Sequence, residues 1–126
     1  MKNILVDTDI LINFLRGSVR ARYFLSSLIN ESALYCSVIT AAEIFAGMKE
    51  HEKEKTSDLL DSLNIIDVTR EIAEKAGGYK KGVKSHSLEL DDCFIAATAF
   101  TNNALLATGN GRHYLMNDIE KLIVST

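Results

Sequence analysis

The chain has 126 residues, 47% of them hydrophobic and 25% charged, with a formal net charge of −3. That length suits one folded domain over residues 1–126 with a core of its own, and the composition excludes a low-complexity or disordered chain. No apolar run nears the ~20 residues of a membrane span, and Cys36 and Cys93 are too few for a disulfide framework or a zinc site.

Met1-Lys2-Asn3 runs straight into the first apolar stretch, which leaves no room for a signal peptide, so a cytoplasmic protein with reduced thiols is expected. Ile4-Leu5-Val6 reads as a short buried strand ended by Asp7, with Thr8 and Asp9 following. Ile10, Leu11, Phe14 and Leu15 then share one helical face, and Asp9 suits the cap of a helix starting near Ile10. Gly17-Ser18 breaks the pattern and Val19 to Ile29 resumes it. Ala33 to Cys36 is a second strand, Ser37 a helix cap, and Ile39 to Met48 a helix. Charged residues from Lys49 to Lys55 form an exposed helical surface or turn before Leu59, Leu60 and Leu63. A third strand spans Leu63 to Val68, and Thr69 caps the helix that carries Ile72 and Ala76.

Gly77-Gly78 weakens the case for an unbroken helix there. Cys93 to Phe100 is the most apolar helix, ended by Asn102-Asn103. Ala104 to Ala107 is a fourth strand, Gly109-Asn110-Gly111 a loop, and Leu122 to Val124 a last edge strand. Strands alternating with helices predict an α/β fold, a mostly parallel sheet of four to five strands flanked by helices on both faces.

Four acids fall where burial is expected: Asp7 at a strand end, Glu43 inside an apolar helix, and Asp91 and Asp92 opening another. Gathered carboxylates repel one another and are costly to bury, and a divalent cation removes both difficulties. An oxygen-only set without His or Cys suits Mg²⁺ or Mn²⁺. Each acid also has a structural reading. Asp91 and Asp92 are favoured in a first helical turn, and Thr40-Ala41-Ala42-Glu43 fits a capping box. Two basic stretches, Arg16-Arg20-Arg22 and Lys75-Lys80-Lys81-Lys84-His86, read as solvated helix faces when taken singly.

The order of these pieces carries more than any one of them. Val6-Asp7-Thr8-Asp9 is followed by Ala42-Glu43-Ile44-Phe45-Ala46-Gly47, then Asp92-Cys93-Phe94-Ile95-Ala96-Ala97-Thr98-Ala99. Leu106-Ala107-Thr108-Gly109-Asn110 and Arg112-His113-Tyr114 come last. This constellation resembles the PIN-domain nucleases, and within them the VapC-type toxins of toxin–antitoxin pairs, from Asn3 to about Val124. The resemblance implies a PIN-like fold and an Mg²⁺- or Mn²⁺-dependent endoribonuclease with Asp7, Glu43 and Asp92 as metal ligands. Thr8 and Thr108 match supporting hydroxyl positions, and Asp9 and Asp91 adjoin matched ones. Asn110 stands where the family has a fourth acid, so a one-metal site is expected. Arg16, Arg112 and His113 are candidates for the RNA backbone. The resemblance also implies a homodimer and an antitoxin partner.

Two rivals remain open at this stage. Asp7-x-Asp9 after a strand suggests a haloacid-dehalogenase-type aspartyl phosphatase, with Asp7 as nucleophile. Against it, Leu11 stands where that family has Thr or Val, and Asp91-Asp92 opens an Ala-rich helix. Asn110 keeps alive a PIN-like domain that binds RNA or protein without cutting.

Overall fold

The computed structural model describes residues 2–28, 32–83 and 88–126. Its strands are β1 (Lys2–Val6), β2 (Ser32–Ser37), β3 (Asn64–Ile66), β4 (Leu105–Thr108) and β5 (Lys121–Ile123). The helices are α1 (Thr8–Leu15), α2 (Val19–Leu28), α3 (Val38–Gly47), α4 (Lys53–Asp61), α5 (Arg70–Gly82) and α6 (Leu90–Thr101). Short 3-10 turns cover Glu50–Glu52 and Gly111–His113. The expected α/β architecture is present, with all strand pairings parallel and the order β3-β2-β1-β4-β5. The chain winds outward from β1 to β3, then crosses back to place β4 on the other side of β1. The point of reversal between β1 and β4 is where such sheets open a crevice at their carboxyl ends.

Side-chain alternation along β1 explains why both faces are covered. Ile4 and Val6 point to a layer with Ile10, Leu11, Leu25, Ala41, Ile44, Leu59 and Leu60, which come from α1 to α4. Leu5 points the other way, to a layer with Ile72, Ala76, Ile95, Ala96 and Ala99 of α5 and α6. In β4, Leu106 joins the second layer and Ala107 the first. Helices on opposite faces therefore converge on the same strand ends. Among the described residues no helix is long and apolar enough to cross a membrane.

Several local expectations are corrected. Helix α1 starts at Thr8, with Asp7 rather than Asp9 as its cap, because Asp7 Oδ1 accepts from the Thr8 amide at 2.8 Å. Helix α5 continues through Gly77-Gly78 to Gly82. Two helical glycines cost about 1 kcal/mol each, and the packing of Ile72 and Ala76 against α6 outweighs that. Helix α6 starts at Leu90, three residues before the expected Cys93, so Asp91 and Asp92 lie inside its first turn. The Thr40–Glu43 capping box is not formed. Ser37 caps α3, its hydroxyl accepting from the Ile39 amide at 3.0 Å, which leaves Glu43 in mid-helix. The Thr69 cap and the stop at Asn102-Asn103 are found as expected, Asn103 taking a left-handed φ of 50°. Ile29, Lys84 and His86, named from the sequence, lie outside the described residues.

Candidate active site

Asp7 sits at the centre of the reversal point, its amide donating to Ala107 O at 2.9 Å and so extending the β1–β4 ladder by one residue. Its side chain is almost wholly buried, at 5% exposure. Oδ1 takes the Thr8 amide, and Oδ2 takes the Thr108 hydroxyl at 2.7 Å. The Thr108 hydroxyl in turn accepts from the Asn110 amide at 3.0 Å. Burial raises the Asp7 pKa, and the bonds from Thr108 and Thr8 only partly offset this.

Glu43 arrives from α3, on one face of the sheet. Thr8 Oγ1 donates to Glu43 Oε1 at 2.8 Å, and Thr40 Oγ1 lies 2.9 Å from Thr8 Oγ1. Thr40 is fully buried and one turn before Glu43, so it steadies the hydroxyl that steadies the acid. Burial, with a hydrogen bond to Asp91 that forms only when one of the two acids is protonated, pushes the Glu43 pKa up to about 7.

Asp92 arrives from α6, on the other face. The amide of Glu89 reaches Asp92 Oδ2 at 3.4 Å, the long arm of a capping box at the α6 start. Tyr114 donates its hydroxyl to Asp92 Oδ1 at 3.3 Å, and His113 Nδ1 lies 3.5 Å from Asp92 Oδ2. Burial raises the Asp92 pKa, and repulsion from Asp91 adds to it. The first-turn preference for acids therefore holds for Asp92, and it coexists with a position facing the other carboxylates.

Asp9 lies one helical step behind Asp7. Its Oδ2 accepts from the Gly109 amide at 2.9 Å and its Oδ1 from Ile10 at 2.9 Å, tying α1 to the loop after β4. A Cβ at Gly109 would stand 2.6 Å from Asp9 Oδ2 and 3.1 Å from Val124 O, so this close approach requires glycine. Burial and repulsion from Asp7 push the Asp9 pKa up to about 6.

Asp7, Asp9, Glu43, Asp91 and Asp92, with Thr8 and Thr108, are thus brought to one end of the sheet. Asn110 joins them through its backbone amide. His113 faces Asp92, whereas Arg112 is exposed on the same 3-10 turn. Arg16 is not brought there. It ends α1, eight residues or about 12 Å along the helix, and borders a cleft with Gly47, Met48 and Glu52. Thr40 and Tyr114 are the contributors that residue type alone did not single out. A polar residue one turn before a buried acid was the available signal for Thr40. Tyr114 closes the Arg112-His113-Tyr114 segment of the resemblance, which assigns it no role at the site.

The donor set fits a hard divalent cation: carboxylate and hydroxyl oxygens, with repulsion between acids that a cation would relieve. Among the described residues no three acidic, His or Cys side chains form a ready-made cage, since each carboxylate is turned to a hydrogen-bond donor of its own.

Comparison with known proteins gives the family of this fold. The PIN domain family matches residues 4–119. Ribonuclease VapC10 of Mycobacterium tuberculosis is 40% identical over 115 residues, covering 90% of this chain and 86% of that protein. A toxin-antitoxin complex from Klebsiella pneumoniae contains a chain with a TM-score of 0.76 and 30% identity, covering 90% of this chain and 92% of that one. VapBC2 from Rickettsia felis, solved bound to a DNA fragment from its promoter, gives a TM-score of 0.80 at 20% identity, with 98% and 99% covered. A family match across nearly the whole chain and a VapC relative at this identity lead to one conclusion: the chain belongs to the PIN-domain family and, within it, to the VapC ribonucleases.

Proposed function

We propose that the chain is a divalent-metal-dependent endoribonuclease and the toxin of a toxin–antitoxin pair, with Asp7, Glu43 and Asp92 as the ligands of one Mg²⁺ or Mn²⁺. The observation that carries the metal site is the meeting of three partly or wholly buried acids, each with a raised pKa, from a strand end and from helices on both faces. A scaffold without chemistry gains nothing from such crowding. The ribonuclease relatives support RNA as substrate, and the Klebsiella pneumoniae complex supports an antitoxin partner. Assembly as a homodimer in the cytoplasm belongs to the same reading.

When bound, the cation supplies an activated water and neutralises charge on the scissile phosphate. The chain's residues prepare the place. Thr108 and the Thr8 amide fix the two oxygens of Asp7, and Thr8, steadied by Thr40, fixes Glu43. Glu43, held by the Thr8 hydroxyl, is placed to ligate the cation or to orient the attacking water. The Asp9 bond to Gly109 holds the loop that carries Asn110, whose side chain would offer an uncharged amide oxygen in place of a fourth acid. His113 beside Asp92, and Arg112 exposed on the same turn, are the candidates to meet the RNA backbone, contacts that position a strand without reading its bases. Arg16, at the far end of α1, would meet RNA only beyond the scissile phosphate.

Purified protein incubated with total RNA tests the reading. Discrete cleavage is expected with Mg²⁺ or Mn²⁺ and none with excess chelator. Undiminished cleavage in chelator would overturn the metal site, and no cleavage under any condition would favour a PIN-like domain that binds without cutting.

A further inference from the structure

Among the described residues Tyr114 is the largest side chain that is completely buried, and its hydroxyl, like that of Thr108, reaches the acids. Its ring packs in the layer with Leu5, Cys93, Ile95 and Leu106. Its hydroxyl donates to Asp92 Oδ1 at 3.3 Å and lies beside the Asp7 carboxylate. One neutral O–H therefore stands between two carboxylates that come from different elements. Among the described residues the Asp92 carboxylate has no hydrogen bond to β1, so this hydroxyl is the polar group that lies between the strand acid and the α6 acid.

The placement of the ring is over-determined. The Tyr114 amide donates to Gly111 O at 3.1 Å, closing the 3-10 turn, and Lys121 of β5 donates its ammonium to Tyr114 O. Gly111 permits that turn to lie against Ile123, whose Cδ1 would be 2.7 Å from an added Cβ. The residue is thus tied at its amide to the 3-10 turn and at its carbonyl to β5, with its ring fully buried.

We infer that Tyr114 is a positioning residue for the metal site: its hydroxyl spaces Asp7 and Asp92 so that both present an oxygen to the same cation. This rests on the metal site proposed above. A tyrosine in this role acts through the acids and need not touch RNA. Removing the hydroxyl leaves two repelling carboxylates against an apolar ring edge, free to turn apart. Losing such a partner behind a metal ligand typically weakens metal binding about 10- to 100-fold.

Calorimetric titration of the full chain with Mn²⁺ tests this without RNA, comparing wild type, Tyr114→Phe and Met116→Ala. Met116 lies two residues on in the same apolar layer and serves as the control for general loosening. The expected result is a roughly tenfold or greater rise in the Mn²⁺ Kd for Tyr114→Phe, and near wild-type affinity for Met116→Ala. In cleavage assays, saturating Mn²⁺ is expected to restore much of the variant's kcat, with KM for RNA little changed. Wild-type Mn²⁺ affinity in Tyr114→Phe, or an equal loss in Met116→Ala, would overturn the role of Tyr114 and leave the metal site standing. Absence of Mn²⁺ binding by the wild type would overturn both.

Discussion

Asp7→Asn is expected to reduce RNA cleavage at least about a thousandfold, roughly 4 kcal/mol of transition-state stabilisation, while making the metal-free protein more stable. The two effects have one cause. Asp7 is the most buried of the clustered acids, and its charge is opposed by burial itself and by Asp9, Glu43 and Asp92. Asparagine keeps an oxygen to cap α1 and another polar atom toward Thr108, so the fold loses little. It removes the charge that the cation would neutralise. Functional carboxylates of this kind commonly cost stability, and relief of about 1–2 kcal/mol is expected in chelator. Thermal unfolding of both proteins in chelator, with cleavage rates measured alongside in Mn²⁺, checks the pair of effects. A variant that cuts RNA normally, or that unfolds well below wild type, contradicts the role given to Asp7.

The second large effect is a loss of stability as pH rises in the absence of metal. The pKa values of Glu43 and Asp9 are pushed up to about 7 and about 6, from 4.5 and 3.8. In the unfolded chain both groups ionise near pH 4, so the folded state holds protons that the unfolded state has released. Their contribution is complete below about pH 4 and is lost as pH climbs through 6 and 7. Both groups are open enough to solvent to be screened, which reduces the combined loss between pH 5 and pH 8 to roughly 2 kcal/mol. A fall in Tm of roughly 5–10 °C over that interval is expected in chelator. Glu43→Gln should flatten the slope, and so should saturating Mn²⁺ if it binds the ionised folded state as proposed. A Tm that rises over the same interval, or a slope unchanged in Glu43→Gln, contradicts the crowding of acids described here.

Much of this architecture was legible in the residues themselves. The three-residue apolar run before Asp7 is buried on alternating faces, and nothing but a covered parallel sheet accommodates such strands between helices. Glu43 could be singled out because it interrupts the apolar run from Ile39 to Met48. What escaped were choices between neighbours competing for one role. Asp7 and Asp9 are both good caps, and the contest turned on Gly109, a hundred residues away, whose amide takes Asp9. Thr40 and Ser37 are both good caps as well. Ser37 won because β2 runs into it directly, freeing Thr40 to support Thr8. Local pattern also overrated Gly77-Gly78 as a break, since helix propensity is weak beside the packing of Ile72 and Ala76. The role of Tyr114 depends on a contact across 22 residues and had no local signature.

The central claim is that one divalent ion held by Asp7, Glu43 and Asp92 makes this chain a ribonuclease. It is tested most directly by titrating Mn²⁺ into metal-stripped protein and following binding and RNA cleavage in the same samples, with Asp7→Asn and Asp92→Asn in parallel. The expected result is cleavage that rises from zero with the midpoint of a single binding event, and variants that remain folded, bind Mn²⁺ at least tenfold more weakly and do not cut. Cleavage already complete before any Mn²⁺ is bound, or folded variants that cut like wild type, would contradict it.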